Sequence, residues 1–368
     1  MNNSNLYNGA FEVFREHIAR SFPSIKVPET DSSILDKNYF LVDSPRFNAS
    51  VSASKNNSPR YYFNLGIHLA VFDAVSTLVG ISDFYKEVPF DLPVWVNTSI
   101  GRLRDRCTDY RFLFEGRSFK GSVAGISFSS DNPEEIDSSS RGRLGNFLSE
   151  LCFKFISFHE QAHFNLGHVN LAKEEFGVAR LHEAPDEHEG CGIEGDPVLI
   201  RCLELEADAQ AISTFFASMP GRGRFKPVEK GVSFRDAYQV KTWIKCVIYS
   251  AMVIVAILSL IDDKFKLEDD KREHPFALTR LINILDAVDY NLHFIIKTKE
   301  ERNSYMSSIN DDINVIFGIF GLNLTMNVDA HFEGTYLING QEYEKEIYFL
   351  NNFRNRYKKL LDKHRIKS

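Results

Sequence analysis

An α+β fold with a helical majority is predicted by three features of the 368-residue sequence. Apolar residues recur at helical spacing over 144–168, 197–217, 243–261, 275–296 and 342–361. Ahead of most of these, 39–42, 47–54 and 61–65 alternate apolar with small or polar residues, as half-buried strands do. The composition, 43% hydrophobic and 25% charged, is that of a globular chain able to bury a sizeable core.

In chain order, 11–22 reads as a short amphipathic helix ended by Pro23. The strand-like runs follow, with a turn at 56–59 and a helix over 68–78. Residues 81–142 mix aromatic extended pieces with turn residues and carry no readable topology. The expected division is therefore an N-terminal α+β part (1–142, with edge strands in about 47–80 and an insertion at 81–142), a helical core (143–296) and a C-terminal extension (297–368). The last helix carries Ile347, Leu350, Tyr357 and Leu361 as one stripe, with Arg354, Arg356, Lys358 and Lys359 around it, and is expected to dock on the core.

Charge and cysteine usage narrow the function classes. A formal charge of -7 offers no domain-wide basic field for phosphates, so no nucleic-acid partner is expected, and the short basic run 221–226 reads as a surface connection. The five cysteines, Cys107, Cys152, Cys191, Cys202 and Cys246, show no CxxC spacing and read as reduced, buried thiols. The polar start lacks a secretory or transit pattern, so a cytoplasmic protein is expected. Residues 246–261 are uncharged and mostly apolar, but 16 residues is short for a span; a buried core helix is the preferred reading, a membrane anchor the alternative.

The chemistry begins in the 144–168 helix. Leu144, Phe147, Leu148, Leu151, Phe155, Ile156, Ala162 and Leu166 form its inward stripe, and His159 and His163 lie on it. The pentapeptide His159-Glu160-Gln161-Ala162-His163 is an HExxH pattern. Histidines four apart on a helix stand one above the other and can share a metal, and the glutamate after the first can reach a metal-bound water.

A third ligand is sought on the helix opened by Pro197. Glu204 and Asp208 share a face there with Ile200, Ala207 and Ala211. Two carboxylates on so apolar a face are costly to bury unless they meet cations or donors, which zinc and its histidines supply. Glu204 is thus the candidate third ligand and Asp208 the holder of a ligating imidazole by its other nitrogen. Glu206 points elsewhere and is expected to face solvent. His168, five after His163, and Gly167, four after it, do not fit HExxHxxGxxH. The loop 181–196 gathers His182, His188, Cys191 and carboxylates at no standard zinc spacing and is expected to be a solvated acidic loop.

HExxH followed by Glu204-Leu205-Glu206-Ala207-Asp208 resembles the gluzincin metallopeptidases, in particular the heat-shock and prenyl-protein membrane peptidases and the Lit-type phage-exclusion peptidases. His274-Pro275 with Arg280 is similar to their HPxxxxR element, and Phe47-Asn48-Ala49 to their NA-containing segment. The resemblance implies a zincin core with a small mixed sheet and a Zn2+ ion on His159, His163 and Glu204. It also implies Glu160 as general base, and His274 or Arg280 as donor to the oxyanion. The implied activity is cleavage of a protein substrate, in phage defence for the Lit-type group. A membrane-associated quality-control protease and a catalytically silent protein-binding relative are the alternatives.

Overall fold

A computed structural model of the chain describes residues 34–36, 38–42, 47–54, 56–90, 140–177, 180–182, 197–218, 234–265, 275 and 277–320, with scattered positions between 352 and 362. The expected helix at 11–22, His274 and residues 91–139, 183–196 and 219–233 lie outside the described residues.

The fold is helix-rich α+β. Among the described residues five strands, β1 (Ile34–Asp36), β2 (Tyr39–Val42), β3 (Ala49–Ala53), β4 (Pro59–Asn64) and β5 (Arg180–His182), form one mixed sheet in the order β1-β2-β4-β3-β5. The β2–β4 pair is parallel and the others antiparallel. Register aligns Tyr39, Tyr61, Val51 and Leu181 in one row across β2, β4, β3 and β5. A second row holds Leu41, Phe63 and Ala49. Both rows belong to the buried side, and Phe40 and Tyr62 stack on the other face at 5.1 Å. This is the period-two alternation of the sequence turned into two faces. The three-residue strands β1 and β5 are too short to show that period and are not foreseen by it; β5 takes up Leu181 and His182 from the expected acidic loop.

Helix α1 (Leu65–Val79) follows β4 directly and packs Ala74, Val75 and Leu78 inward. Its partner is α2 (Ser140–Asn165), whose Gly145 faces Val79 and Val75 of α1. The expected single helix 144–168 is in fact broken. Gly167, at φ 84°, ends α2's run and opens α3 (His168–Phe176), a left-handed conformation that glycine adopts without steric cost. Next come α4 (Pro197–Ser218) and α5 (Phe234–Phe265), the latter much longer than the 243–261 read from the sequence. They are followed by α6 (Ala277–Leu292) and two short helices not foreseen, α7 (Lys299–Ser307) and α8 (Asn310–Ile319).

Helix α5 is the central member. Residues 244–258 are almost all sealed from solvent against α2, α6, α8 and α1. The stretch Val240–Ser259 is apolar and long enough to cross a membrane, with mean hydropathy 1.9, yet 83% of it is buried inside the protein. Its polar interruptions are satisfied internally: Ser250 Oγ donates to the Leu148 carbonyl at 3.1 Å, and the Tyr249 hydroxyl donates to Asp312. One apolar cluster runs from Leu41 through α1, α2, α4, α5 and α6 to Phe320, so it crosses the expected boundaries at 142 and 296. A smaller cluster joins Leu171, Leu199, Cys202, Leu203 and Leu205 to Leu361, with Tyr357 beside it; these two residues of the expected terminal stripe do dock on the core. Cys152, Cys202 and Cys246 are buried and form no disulfide among the described residues, and burial pushes the Cys152 and Cys246 thiols up to about 12.

Candidate metal centre

Helices α2 and α4 pack closely because the facing positions Ala162, Ala207 and Ala211 are small and fully buried. That contact brings the HExxH turn against the acidic face of α4. His159 Nε2 lies 3.1 Å from Glu204 Oε2, His163 Nε2 lies 3.3 Å from Glu204 Oε1, and the two Nε2 atoms are 2.9 Å apart. These three side chains, each offering one donor atom with all donors within 4.8 Å of one another, form a group able to hold a metal ion.

The donor set suits zinc. Two imidazole nitrogens and one carboxylate oxygen match its preference, and ligands about 2.0–2.1 Å from a tetrahedral ion stand roughly 3.3 Å apart. Each imidazole Nε2 lies 3.1 to 3.3 Å from one oxygen of Glu204 and 2.9 Å from the other Nε2, so the donors converge on one point between the two helices.

The second layer is as ordered as the first. His159 Nδ1 is 2.9 Å from Asp208 Oδ1. Asp208 in turn accepts from Arg280 twice, Nε to Oδ2 at 2.8 Å and Nη2 to Oδ1 at 2.7 Å. Arg280 comes from α6, which also holds α4 through Asn283 Nδ2, a donor to the Leu205 carbonyl at 2.7 Å. Burial alone would raise the Asp208 carboxyl, but Arg280 and then His159 outweigh it and hold the group below its ordinary value. The same contest occurs at Glu204, where burial is overcome by His163 and His159 and the carboxyl is kept well below its usual range. Both carboxylates are thus held toward the ionised form.

Glu160, between His159 and His163 in sequence, is buried and within the electrostatic reach of Tyr61 in the sheet. Gln161 Nε2 donates to the Tyr39 hydroxyl at 3.5 Å, and Tyr39 stacks on Tyr61 at 4.9 Å. The Tyr61 hydroxyl is pushed above its ordinary range by burial, then by Tyr39 and by the Glu160 carboxylate, so it stays a neutral donor near the general-base candidate. Neither tyrosine stands out in the sequence; their place in an alternating strand is the only signal.

His159, Glu160, His163, Glu204 and Asp208 thus come together as the spacing suggested. Arg280 arrives by a different route: two of its donors go to Asp208, which places it behind His159. Glu206 corrects an expectation, for it does not face open solvent. It is 12% exposed, with Oε2 at 3.4 Å from His168 Nε2. His168, fully buried, turns its Nδ1 to His163 Nδ1 at 3.0 Å. Burial drives the His168 ring down to about 4, partly offset by its bond to Glu206, so it is neutral near pH 7. No protein-family model, curated protein or solved structure matches the chain, and its chemistry is read from the geometry above.

Proposed function

We propose that the chain is a zinc-dependent endopeptidase of gluzincin type, acting in the cytoplasm on a protein substrate. The observation that carries this reading is the meeting of His159, His163 and Glu204 at 2.9 to 3.3 Å, with Glu160 beside them. A buried cluster of this kind is expensive unless it serves a cation.

Zinc, when bound, would supply Lewis-acid polarisation of the scissile carbonyl and acidify a water. His159 and His163 would hold it through Nε2 and Glu204 through a carboxylate oxygen. Glu160 takes the proton of the attacking water and passes it to the leaving amide nitrogen as that bond breaks. Asp208 keeps the His159 proton on Nδ1, so Nε2 presents its lone pair, and Arg280 keeps Asp208 ionised and oriented. Tyr61, a neutral hydroxyl within the electrostatic reach of Glu160, joins His274 and Arg280, the two candidates from the resemblance, as a donor to the oxyanion. His159, Glu160, His163 and Glu204 are only 1–2% exposed, so a peptide reaches them only through local opening of the fold. The phage-defence setting is carried by the resemblance to the Lit-type group alone.

Metal content by mass spectrometry, on protein purified without added metal, tests the reading. Near-stoichiometric zinc is expected, lost in His163→Ala and in Glu204→Ala. No metal after zinc reconstitution would overturn it, and stoichiometric iron would redirect it to the redox chemistry that two histidines and a carboxylate also support.

A further inference from the structure

The His159 side of the centre has an evident support in Asp208 and Arg280, whereas the support of His163 falls on residues that no spacing rule assigns. His163 is a buried imidazole whose Nε2 is turned to Glu204, so its Nδ1 needs a partner that fixes both ring orientation and tautomer. That partner is His168, whose Nδ1 lies 3.0 Å away with the rings inclined at 70°. The contact exists because Gly167 takes a left-handed conformation, at φ 84°, and starts α3 with His168 beside the last turn of α2. His168 Nε2 faces Glu206 Oε2 at 3.4 Å, on the helix that also carries Glu204 and Asp208.

The proton order follows from hydrogen-bond chemistry. A carboxylate can only accept, so Glu206 requires the hydrogen of His168 on Nε2. A metal that takes the Nε2 lone pair of His163 leaves the hydrogen of that ring on Nδ1, the atom 3.0 Å from His168 Nδ1, which accepts it. The chain Glu206, His168, His163 thus matches the one tautomer of His163 that is able to ligate.

We propose that His168 and Glu206 are positioning residues for His163, a second support line that receives the Nδ1 hydrogen of the ligating ring and holds the ring in place. This rests on the metal-centre reading of His159, His163 and Glu204. The two lines differ in kind: an aspartate clamped by Arg280 stands behind His159, and an imidazole backed by a carboxylate stands behind His163. Both start from α4, so that helix supplies a ligand and a support to each histidine.

The test uses the full-length chain freed of metal and titrated with Co2+, read by its visible ligand-field absorption and by competition with a chelator. His168→Leu removes the acceptor while keeping apolar volume, and is expected to weaken binding 10- to 100-fold, as losses of such supports do, and to shift the cobalt spectrum. His168→Asn sets a carbonyl oxygen close to the position of Nδ1 and is expected to recover affinity to within about threefold, a rescue that general packing damage would not show. Glu206→Ala should weaken binding by about tenfold with the apo melting temperature unchanged, since its site is at the surface margin. Native affinity and spectrum in His168→Leu would overturn the proposal; should that variant fail to fold, native affinity in Glu206→Ala would do so. A wild-type chain that binds neither Co2+ nor Zn2+ overturns the metal centre itself, which separates the two failures.

Discussion

Arg280 grips Asp208 by both carboxylate oxygens, at 2.8 and 2.7 Å, and Asp208 passes that restraint to His159 through a 2.9 Å contact. The pair is fully buried, and α6 is thereby tied to the ligand helix through α4. A buried ion pair of this geometry adds little net stability over apolar packing, but removing one partner leaves the other charge stranded at a cost of about 3–5 kcal/mol.

Arg280→Ala should therefore lower unfolding stability by roughly that amount, and Arg280→Lys by less. A lysine ammonium is a single point donor and cannot hold both oxygens, so zinc affinity in Arg280→Lys should still fall about tenfold. Urea unfolding and chelator competition measure the two effects separately. An Arg280→Ala chain with native stability and native affinity would remove Arg280 from the site.

Glu160→Gln isolates the proton-transfer role. The amide keeps the size and polarity of the carboxylate but cannot take a proton, and Glu160 is not among the three ligands. Zinc content should stay stoichiometric while hydrolysis of a denatured protein substrate falls by about 10²–10⁴. Full activity would remove the proposed base, and loss of zinc would show instead that Glu160 holds the site together.

The residues legible in the sequence are those governed by helical period alone. His159 and His163, and Glu204 and Asp208, are each four apart on continuous helices, so their shared faces follow from 3.6 residues per turn. His168 and Glu206 escape that logic. A single left-handed glycine between His163 and His168 replaces helical period with a turn, and Glu206 points away from the Glu204 face toward α3, which no pattern on α4 announces. Arg280 is legible through its motif but its bond to Asp208 is not, because proximity to a motif does not say which carboxylate a guanidinium meets. The apolar run at 246–261 reads as a core helix, and the burial of Val240–Ser259 within the fold agrees. Its true extent, 234–265, is hidden because polar and charged residues end the apolar run long before they end the helix.

Metal removal should be limited by the protein and not by the chelator. His159, His163 and Glu204 are 1–2% exposed, so an ion held there is released only through local opening. Zinc loss followed by a colour-forming chelator is expected to be first-order, with a rate that levels off as chelator concentration rises. A rate that stays proportional to chelator throughout would mean that the centre is open in solution.

Asp312 supplies a pH-dependent prediction away from the centre. Its carboxylate accepts the Tyr85 backbone N–H at 2.6 Å and the Tyr249 hydroxyl, pinning the segment after α1 between α5 and α8. Burial raises its pKa, and the bonds from Tyr249 and Tyr85 only partly offset that. A carboxyl whose folded pKa lies above its unfolded one favours folding when protonated. The wild-type advantage is then fully present below the ordinary aspartate value and is lost as pH rises to the folded value. Asparagine is a neutral mimic: in Asp312→Asn the amide oxygen still accepts from Tyr85 and the amide nitrogen can donate to the Tyr249 oxygen. The variant should match wild type in acid and exceed it at pH 7 by a few degrees in melting temperature, the gap opening as pH rises through that window. Differential scanning calorimetry from pH 3 to pH 8 measures the gap, and a variant that is less stable at every pH would show that the charge itself holds Tyr85 and Tyr249 in place.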